Sequence, residues 1–355
     1  MNSIREEIEL IRQSEGEGFV IDENALNLSL HRLNDEKSGL AIKVLSIAGG
    51  FLATLSFIGF LMVAGLDDSK LGLIFTGAIF ITGAIWLNIR TERLIVDTSV
   101  ISVFITGFCL LAFGISQYEV DDNLIPILFG IIAALSIRLS QKYILPFISV
   151  LIFTGSILSL IVINEAFDLI HLYIAVIIFL LTYLFLNEAK IITQTRRFSV
   201  LYNPVRTGLI FSLLAGLLFV GKKGLIRITP DFIWLSSMVT IPAFIYLVSI
   251  VLDIFKIYKQ KNRISIYIAC LLVLIPTAFS PAISGSLLII LLCFFVNYKT
   301  GFATGIIAFI YFVGQYYYDL NFSLLTKSIL LVVSGVLFLI FFLFTYKKLR
   351  INEKN

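Results

Sequence analysis

The chain has 355 residues, of which 59% are hydrophobic and only 14% are charged. A water-soluble protein of this length has no interior large enough for so much apolar surface, so the composition excludes that class. The net charge of +4 is small, and because the topology described below accounts for it, we expect no nucleic acid as a partner.

An acidic segment, residues 1–41, precedes the first apolar run. It contains nine acidic and four basic residues. Ser3 and Glu6 match the capping-box pattern at the start of one aliphatic stripe, and Asp22 can cap a second stripe of leucines. The segment therefore predicts a small cytoplasmic helical hairpin. Two roles stay open for it: a simple helical cap, or a surface that packs on another protein or on the chain's own basic loops.

Twelve apolar runs follow, separated by short polar stretches. Runs of about 17–25 residues match the hydrocarbon thickness of a bilayer. The sequence therefore predicts an all-α polytopic transmembrane helical bundle of about 12 spans over residues 42–346, with a basic cytoplasmic tail at 347–355. The predicted spans are 44–66, 71–89, 97–116, 124–137, 144–163, 168–187, 207–221, 232–254, 264–279, 283–297, 301–319 and 324–346.

Basic residues fall mostly on one side of this topology. With the N-terminus placed in the cytoplasm, 22 of the 27 Lys and Arg residues lie on the inner side, as the positive-inside rule requires. Both termini are thus predicted to be cytoplasmic. One outer loop breaks the rule with Lys222, Lys223 and Arg227. Either this loop follows the topology set earlier in the chain, or it binds an anionic headgroup or an acidic partner.

Motifs for catalysis or cofactor binding are missing from the sequence. The three cysteines lie inside apolar runs without CxxC spacing, and the chain has only two histidines. We therefore expect no metal site, no cofactor and no disulfide. No charged residue lies near the middle of a predicted span, which argues against a proton-driven antiporter. A carrier of lipid, or a path lined by Ser, Thr and Tyr, stays compatible with this pattern.

One polar cluster stands at the outer mouth of the sixth predicted span. Glu165, Asp168 and His171 are spaced by three residues, so they occupy one side of a helix, about 120° wide. They form either a shallow metal or acid-base site, or a helix start with acids at the positive end of the dipole and His171 at the interface.

The stretch YYYDLNFSLLTKS, residues 316–328, concentrates polar side chains between the last two spans. On a helix, one narrow stripe contains Gly301, Gly305, Ala308, Phe312, Gln315 and Asp319. Because small residues let helices approach closely in lipid, this stripe is predicted to face protein.

Lys327 lies one turn inside the last span, where a cation opposes the helix dipole. We expect Asp319, Lys327 and the Tyr316 hydroxyl to form a hydrogen-bonded latch next to Gln315. The alternatives are a tyrosine belt with a lysine that reaches the surface, and a substrate or partner site.

The same region carries a family resemblance. It contains, in this order, a tyrosine cluster, the pair DL, the segment LLTKS and the apolar run ILLVVSGVLFL. This order resembles the C-terminal region of a bacterial membrane family named domain of unknown function 4401. The resemblance covers about thirty residues and implies a multi-pass protein of the bacterial inner membrane. Members tend to be encoded beside other small membrane proteins, which implies a multi-protein assembly. The family supplies no activity and no catalytic residues.

Three functional hypotheses follow. The first is a non-enzymatic integral subunit of a cell-envelope complex, with the bilayer and another membrane protein as partners. It rests on the acidic tail, the small-residue stripe, the lack of charges in the spans and the resemblance. The second is a transporter or flippase for a lipid-like or uncharged substrate, which needs a water-accessible polar cavity. The third is a membrane-embedded enzyme that uses Glu165, Asp168 and His171.

Overall fold

The computed structural model describes residues 68–90, 94–140, 142–222, 224–229, 232–256, 258 and 260–319, together with 55–61 and isolated positions nearer the two ends. Regular structure in these ranges is helical, with no strand, which confirms the predicted all-α fold. The acidic segment 1–41, the basic tail 347–355 and most of the predicted first and twelfth spans lie outside the described residues.

Eleven α-helices have defined bounds in this part of the chain. They are α1 (Lys70–Arg90), α2 (Leu94–Ser116), α3 (Leu124–Leu139), α4 (Ile144–Ile163), α5 (Ile170–Leu186), α6 (Glu188–Gln194), α7 (Arg196–Gly221), α8 (Trp234–Ile254), α9 (Gln260–Leu274), α10 (Pro281–Phe295) and α11 (Lys299–Asp319). A 3-10 turn, Phe167–Leu169, precedes α5, and a second one, Ile275–Phe279, extends α9.

Seven of the described helices are long and apolar enough to cross a membrane. They are α1, α2, α4, α5, α7, α8 and α9, where α5 and α9 are counted with their 3-10 turns. The helices α3 and α10 are apolar but shorter. These findings support a multi-pass membrane protein, while the number of twelve spans stays a prediction.

Predicted and observed bounds agree closely for α4, which occupies 144–163 in both. Helix α7 differs, because it begins at Arg196 rather than at residue 207. The polar stretch between the sixth and seventh predicted spans consists of α6 and the first turns of α7. Pro204 lies inside this helix, although proline normally disfavours an uninterrupted helix.

The first compact unit contains residues Met1–Leu111. Within it, α1 approaches α2 at two glycines. A Cβ atom on Gly77 would lie 2.8 Å from the carbonyl oxygen of Gly107 and 2.9 Å from the amide nitrogen of Leu111. The two backbones therefore touch directly, as helices with small residues at their interface do in lipid.

The second compact unit, residues Ala112–Asn355, is organised around α7. This helix packs on α4, α5, α6, α10 and α11. Leu213 and Leu217 on α7 are fully buried. Because α7 has neighbours on most sides, it forms the centre of the largest apolar cluster among the described residues.

Glycines make the close contacts of α7 possible. A Cβ atom on Gly208 would lie 2.7 Å from the side chain of Val150 on α4, and one on Gly216 would lie 2.8 Å from the ring of Tyr173 on α5. Any larger side chain at these positions would push α4 or α5 away from α7.

The glycine contact between α1 and α2 can be tested with two matched substitutions on one helix. Gly77→Ala places a methyl group against backbone atoms that cannot move aside, so it is expected to lower the thermal stability of the detergent-purified protein by about 1–3 kcal/mol. Gly83→Ala, where a Cβ atom meets nothing within 4 Å, is the control and should not destabilise. Equal effects of the two substitutions would contradict the close approach.

Candidate functional site

The polar residues predicted at the outer mouth of the sixth span take part in two separate contacts. The Asp168 carboxylate accepts hydrogen bonds from the Thr229 amide at 3.1 Å and from the Thr229 hydroxyl at 2.8 Å. His171 is 6% exposed, and its Nδ1 lies 2.7 Å from Ser236 Oγ on α8. Asp168 thus joins the loop after α7 to the start of α5, and His171 joins α5 to α8.

Neither the start of α5 nor the 3-10 turn before it is capped by a side chain, so both interpretations of this cluster stay open. Glu165 is exposed in the turn after α4, with φ at 51°. Within the described ranges, no three His, Cys, Asp or Glu side chains gather as metal ligands. Ser236 is fully buried, so a substrate has no direct route to its hydroxyl beside His171.

The hairpin residues are only partly described. On α11, the Gln315 side-chain amide donates to both carboxylate oxygens of Asp319 at 3.2 Å. The predicted protein-facing stripe packs as expected, because Gly301, Gly305 and Phe312 are buried. Tyr316 is 39% exposed. Lys327 lies outside the described residues, so its pairing with Asp319 stays a prediction.

The basic outer loop follows α7 directly. Lys222 caps the end of that helix, and both Lys222 and Arg227 are exposed. Lys223 lies outside the described residues. Gly224 adopts φ of 88°, a left-handed conformation that glycine accommodates without strain. Binding of an anionic headgroup or an acidic partner by this loop stays a prediction.

An extended polar arrangement surrounds Arg206, a residue that belongs to none of the predicted sites. Its side chain is 7% exposed and forms an ion pair with Glu188 on α6 at 3.3 Å. A second guanidinium nitrogen donates to the Asn203 side chain at 2.7 Å. Its Nε has no hydrogen-bond partner in the described part of the chain.

Aromatic rings enclose the guanidinium. The Arg206 Cζ atom lies 4.0 Å from the ring centroid of Tyr298, 4.9 Å from that of Tyr202 and 5.5 Å from that of Phe185. Arginine is more weakly hydrated than lysine and stacks on aromatic faces, so it tolerates this environment. The arginine therefore connects α5, α6 and α7 with the turn between α10 and α11.

A hydrogen-bond chain extends this arrangement to α4. The Tyr298 hydroxyl lies 2.9 Å from Thr207 Oγ1, which in turn accepts from the Tyr143 hydroxyl at 3.0 Å. Partial burial raises the pKa of the Tyr143 phenol, so the hydroxyl stays protonated and can donate at neutral pH. We call Tyr143, Glu188, Arg206, Thr207 and Tyr298 the arginine cluster. Its geometry suits a structural role, since the contacts of Arg206 with Glu188 and of Thr207 with Tyr298 and Tyr143 each join α7 to another segment.

The arginine cluster has a weak sequence signal. Tyr202, Asn203 and Arg206 are spaced to share one helical face, but this spacing matters only if the helix begins before residue 207. The partner Tyr298 is distant in the sequence, so no local pattern identifies it.

The ion pair of the arginine cluster can be tested by removing one charge. Glu188→Gln leaves Arg206 buried without its counter-ion and is expected to cost about 1–3 kcal/mol of stability in thermal unfolding. The control is Asp253→Asn, which breaks the more exposed pair with Arg263 at 3.0 Å and should cost about 1 kcal/mol or less. In an Arg206→Met background, Glu188→Gln should add little, and full additivity would contradict the pairing.

The predicted latch is tested in the same way. If Asp319 and Lys327 pair, Lys327→Met lowers the thermal stability of the detergent-purified protein because a partly desolvated carboxylate loses its partner. Asp319→Asn should then add little to the Lys327→Met variant. Fully additive losses would reject the pairing.

The chain belongs to a protein family that a sequence model identifies. That model, described as a domain of unknown function (DUF4401), matches residues 39–348, which confirms the resemblance noted at the C-terminal hairpin and extends it over most of the chain. No curated protein matches the chain, and no solved structure matches it.

Proposed function

We propose that the chain, as a member of this family, is a non-enzymatic integral subunit of a membrane complex in the bacterial cell envelope. In this proposal it crosses the cytoplasmic membrane about 12 times, with an N-terminal helical hairpin and both termini in the cytoplasm. The partner is another membrane protein. The proposal rests on one observation, the large exposed surface of α9.

Helix α9 and its 3-10 extension are barely covered by the described part of the chain. Only 6% of the most apolar stretch of Gln260–Phe279 is buried, against 28–50% for the other six membrane-length helices. Its described polar ties to α8 are an ion pair between Arg263 and Asp253 at 3.0 Å and a long bond from the Ser237 hydroxyl to the Thr277 carbonyl at 3.5 Å. Packing against the described helices therefore contributes little to holding this helix in place.

The uncovered surface of α9 has a pattern suited to helix association. Ser265 and Ala269 are both exposed and separated by one turn, which forms a small-xxx-small motif. Leu272, 70% exposed, continues the same face. In lipid, apolar surface alone gives no driving force between helices, whereas small residues permit close packing. Gly301 and Gly305 on α11 are already in close contact with other side chains, whereas Ser265 and Ala269 are exposed among the described residues, so they suit a helix of a partner.

The second candidate, a carrier of a lipid-like or uncharged substrate, is less well supported. It needs polar side chains along a path, and the strongest candidates in the spans are Thr154, Tyr173 and Ser212. Thr154 Oγ1 lies 2.7 Å from Ser212 Oγ, and the Tyr173 hydroxyl donates to the Ser212 carbonyl at 3.1 Å. These hydroxyls bond to each other and to backbone, so they stabilise helix packing.

The proposal predicts a partner on the Ser265–Ala269 face. A photo-reactive amino acid at Leu272, in full-length protein in native membranes, should cross-link to one other membrane protein at about one copy per chain. Ser265→Leu should lower the yield of that product roughly fivefold or more, since the added side chain separates the helices.

Ala303→Leu is the matched control, because it enlarges an exposed small residue on α11 and should leave the yield unchanged. The proposal fails if the probe reacts only with lipid or with a second copy of this chain, or if both substitutions have the same effect.

A further inference from the structure

A long apolar groove runs between α4 and α5, with α7 as its floor. Its volume is about 590 Å³, within the range of roughly 300–1,000 Å³ that ligand sites occupy. Its buried lining includes Val150 on α4, Ile177 on α5 and Leu209 on α7. Its rim includes the exposed side chains of Ile157, Val176 and Leu180.

The groove exists because α4 and α5 both pack on α7 and make few contacts with each other. Three residues with hydroxyl groups, Thr154, Tyr173 and Tyr183, line the groove. The hydroxyls of Thr154 and Tyr173 turn inward to Ser212, so the surface that remains is apolar except at Tyr183, which lies at one end. All three helices are membrane-length, so this surface lies at bilayer depth, where hydrocarbon chains are the surrounding solvent.

The groove is longer than one leaflet of a bilayer. Its lining extends from Leu169, just before α5, to Leu184, which corresponds to roughly 22 Å at 1.5 Å per residue. The hydrocarbon of one leaflet is about 15 Å thick, half of the whole core. The groove therefore has room for an acyl chain that begins at one membrane surface.

One end of the groove lies beside a concentration of positive charge. Ile137, Leu184 and Val205 line this end, and the adjoining segments 138–142 and 183–207 contain six basic residues and one acidic residue. The acidic residue, Glu188, is already paired with Arg206.

Two arginines stand next to this end of the groove. Arg138 and Arg197 are both exposed, and the Arg197 guanidinium donates to the Arg138 carbonyl. Arg138 directly follows Ile137, a lining residue. Arg197 lies in the first turn of α7, where the helix dipole is positive and a cation is unfavourable unless an anion is near. Tyr183, 52% exposed, lines the same end, as tyrosines do at the level of lipid headgroups.

We propose that the groove binds an anionic phospholipid, with an acyl chain between α4 and α5 and its phosphate beside Arg138 and Arg197. The apolar lining at bilayer depth is the reason to expect an acyl chain. The two arginines are the reason to expect a negatively charged headgroup. This site is distinct from the Ser265–Ala269 face on α9. A negative result for lipid binding would therefore leave the proposed subunit function unaffected, and the reverse also holds.

The test uses the full-length protein, purified in mild detergent and incubated with vesicles of phosphatidylglycerol or of phosphatidylcholine, followed by native mass spectrometry of retained lipid. Wild-type protein should retain phosphatidylglycerol in preference to phosphatidylcholine. Arg138→Gln and Arg197→Gln should each weaken that retention roughly fivefold, as expected for the loss of one basic residue at a membrane surface. Retention of phosphatidylcholine should not change.

Two further variants keep the test specific. Lys222→Gln with Arg227→Gln removes two exposed basic residues next to the other end of α7 and should leave the preference unchanged. Val176→Trp fills the groove and should reduce retention of both lipids roughly fivefold or more, with the thermal stability measured in parallel to verify folding. The proposal is overturned if wild-type protein retains the two lipids equally. It is also overturned if the Lys222 and Arg227 control loses as much phosphatidylglycerol retention as the Arg138 and Arg197 variants.

Discussion

Close packing around α7 is the constraint on which the second unit depends. In a bilayer, apolar surface alone does not bring helices together, so contact area and polar bonds must do so. Gly208 and Gly216 let α4 and α5 approach α7 until side-chain atoms touch its backbone. Because α7 holds both neighbours by separate faces, α4 and α5 diverge from each other, and the groove between them is a consequence of this packing.

Polar groups in the spans also stabilise the packing of helices. Within the spans, the hydroxyls of Thr154 and Ser212 are satisfied by each other and by backbone carbonyls, so they add bonds to packing that glycine already permits. The one deeply buried ion pair in the described residues involves Arg206. It lies near the first turns of α7, where aromatic rings and Glu188 replace the water that a guanidinium loses on burial.

Sequence reasoning predicted features that depend on neighbours along the chain. Hydrophobic run length identified α4 at its observed bounds, and helical periodicity identified the face of α11 that carries Gly301 and Gly305. It did not predict the arginine cluster, because the contact between Arg206 and Tyr298 depends on how α7 packs on the turn after α10. The seventh predicted span began at residue 207, whereas the helix begins at Arg196. The groove left no sequence signal, since its lining is as apolar as any lipid-facing surface.

The arginine cluster also constrains the order in which the protein can assemble. Thr207 and its partner Tyr298 lie 91 positions apart, and synthesis proceeds from the N-terminus. While α7 inserts, the nearest of the three rings around Arg206, that of Tyr298, has not been made, so the guanidinium contacts only Glu188, Asn203 and the rings of Phe185 and Tyr202. The end of the bundle near α6 therefore closes only after α8, α9 and α10 have emerged. During that interval, the site beside the groove is more open to the surrounding lipid headgroups than in the finished protein.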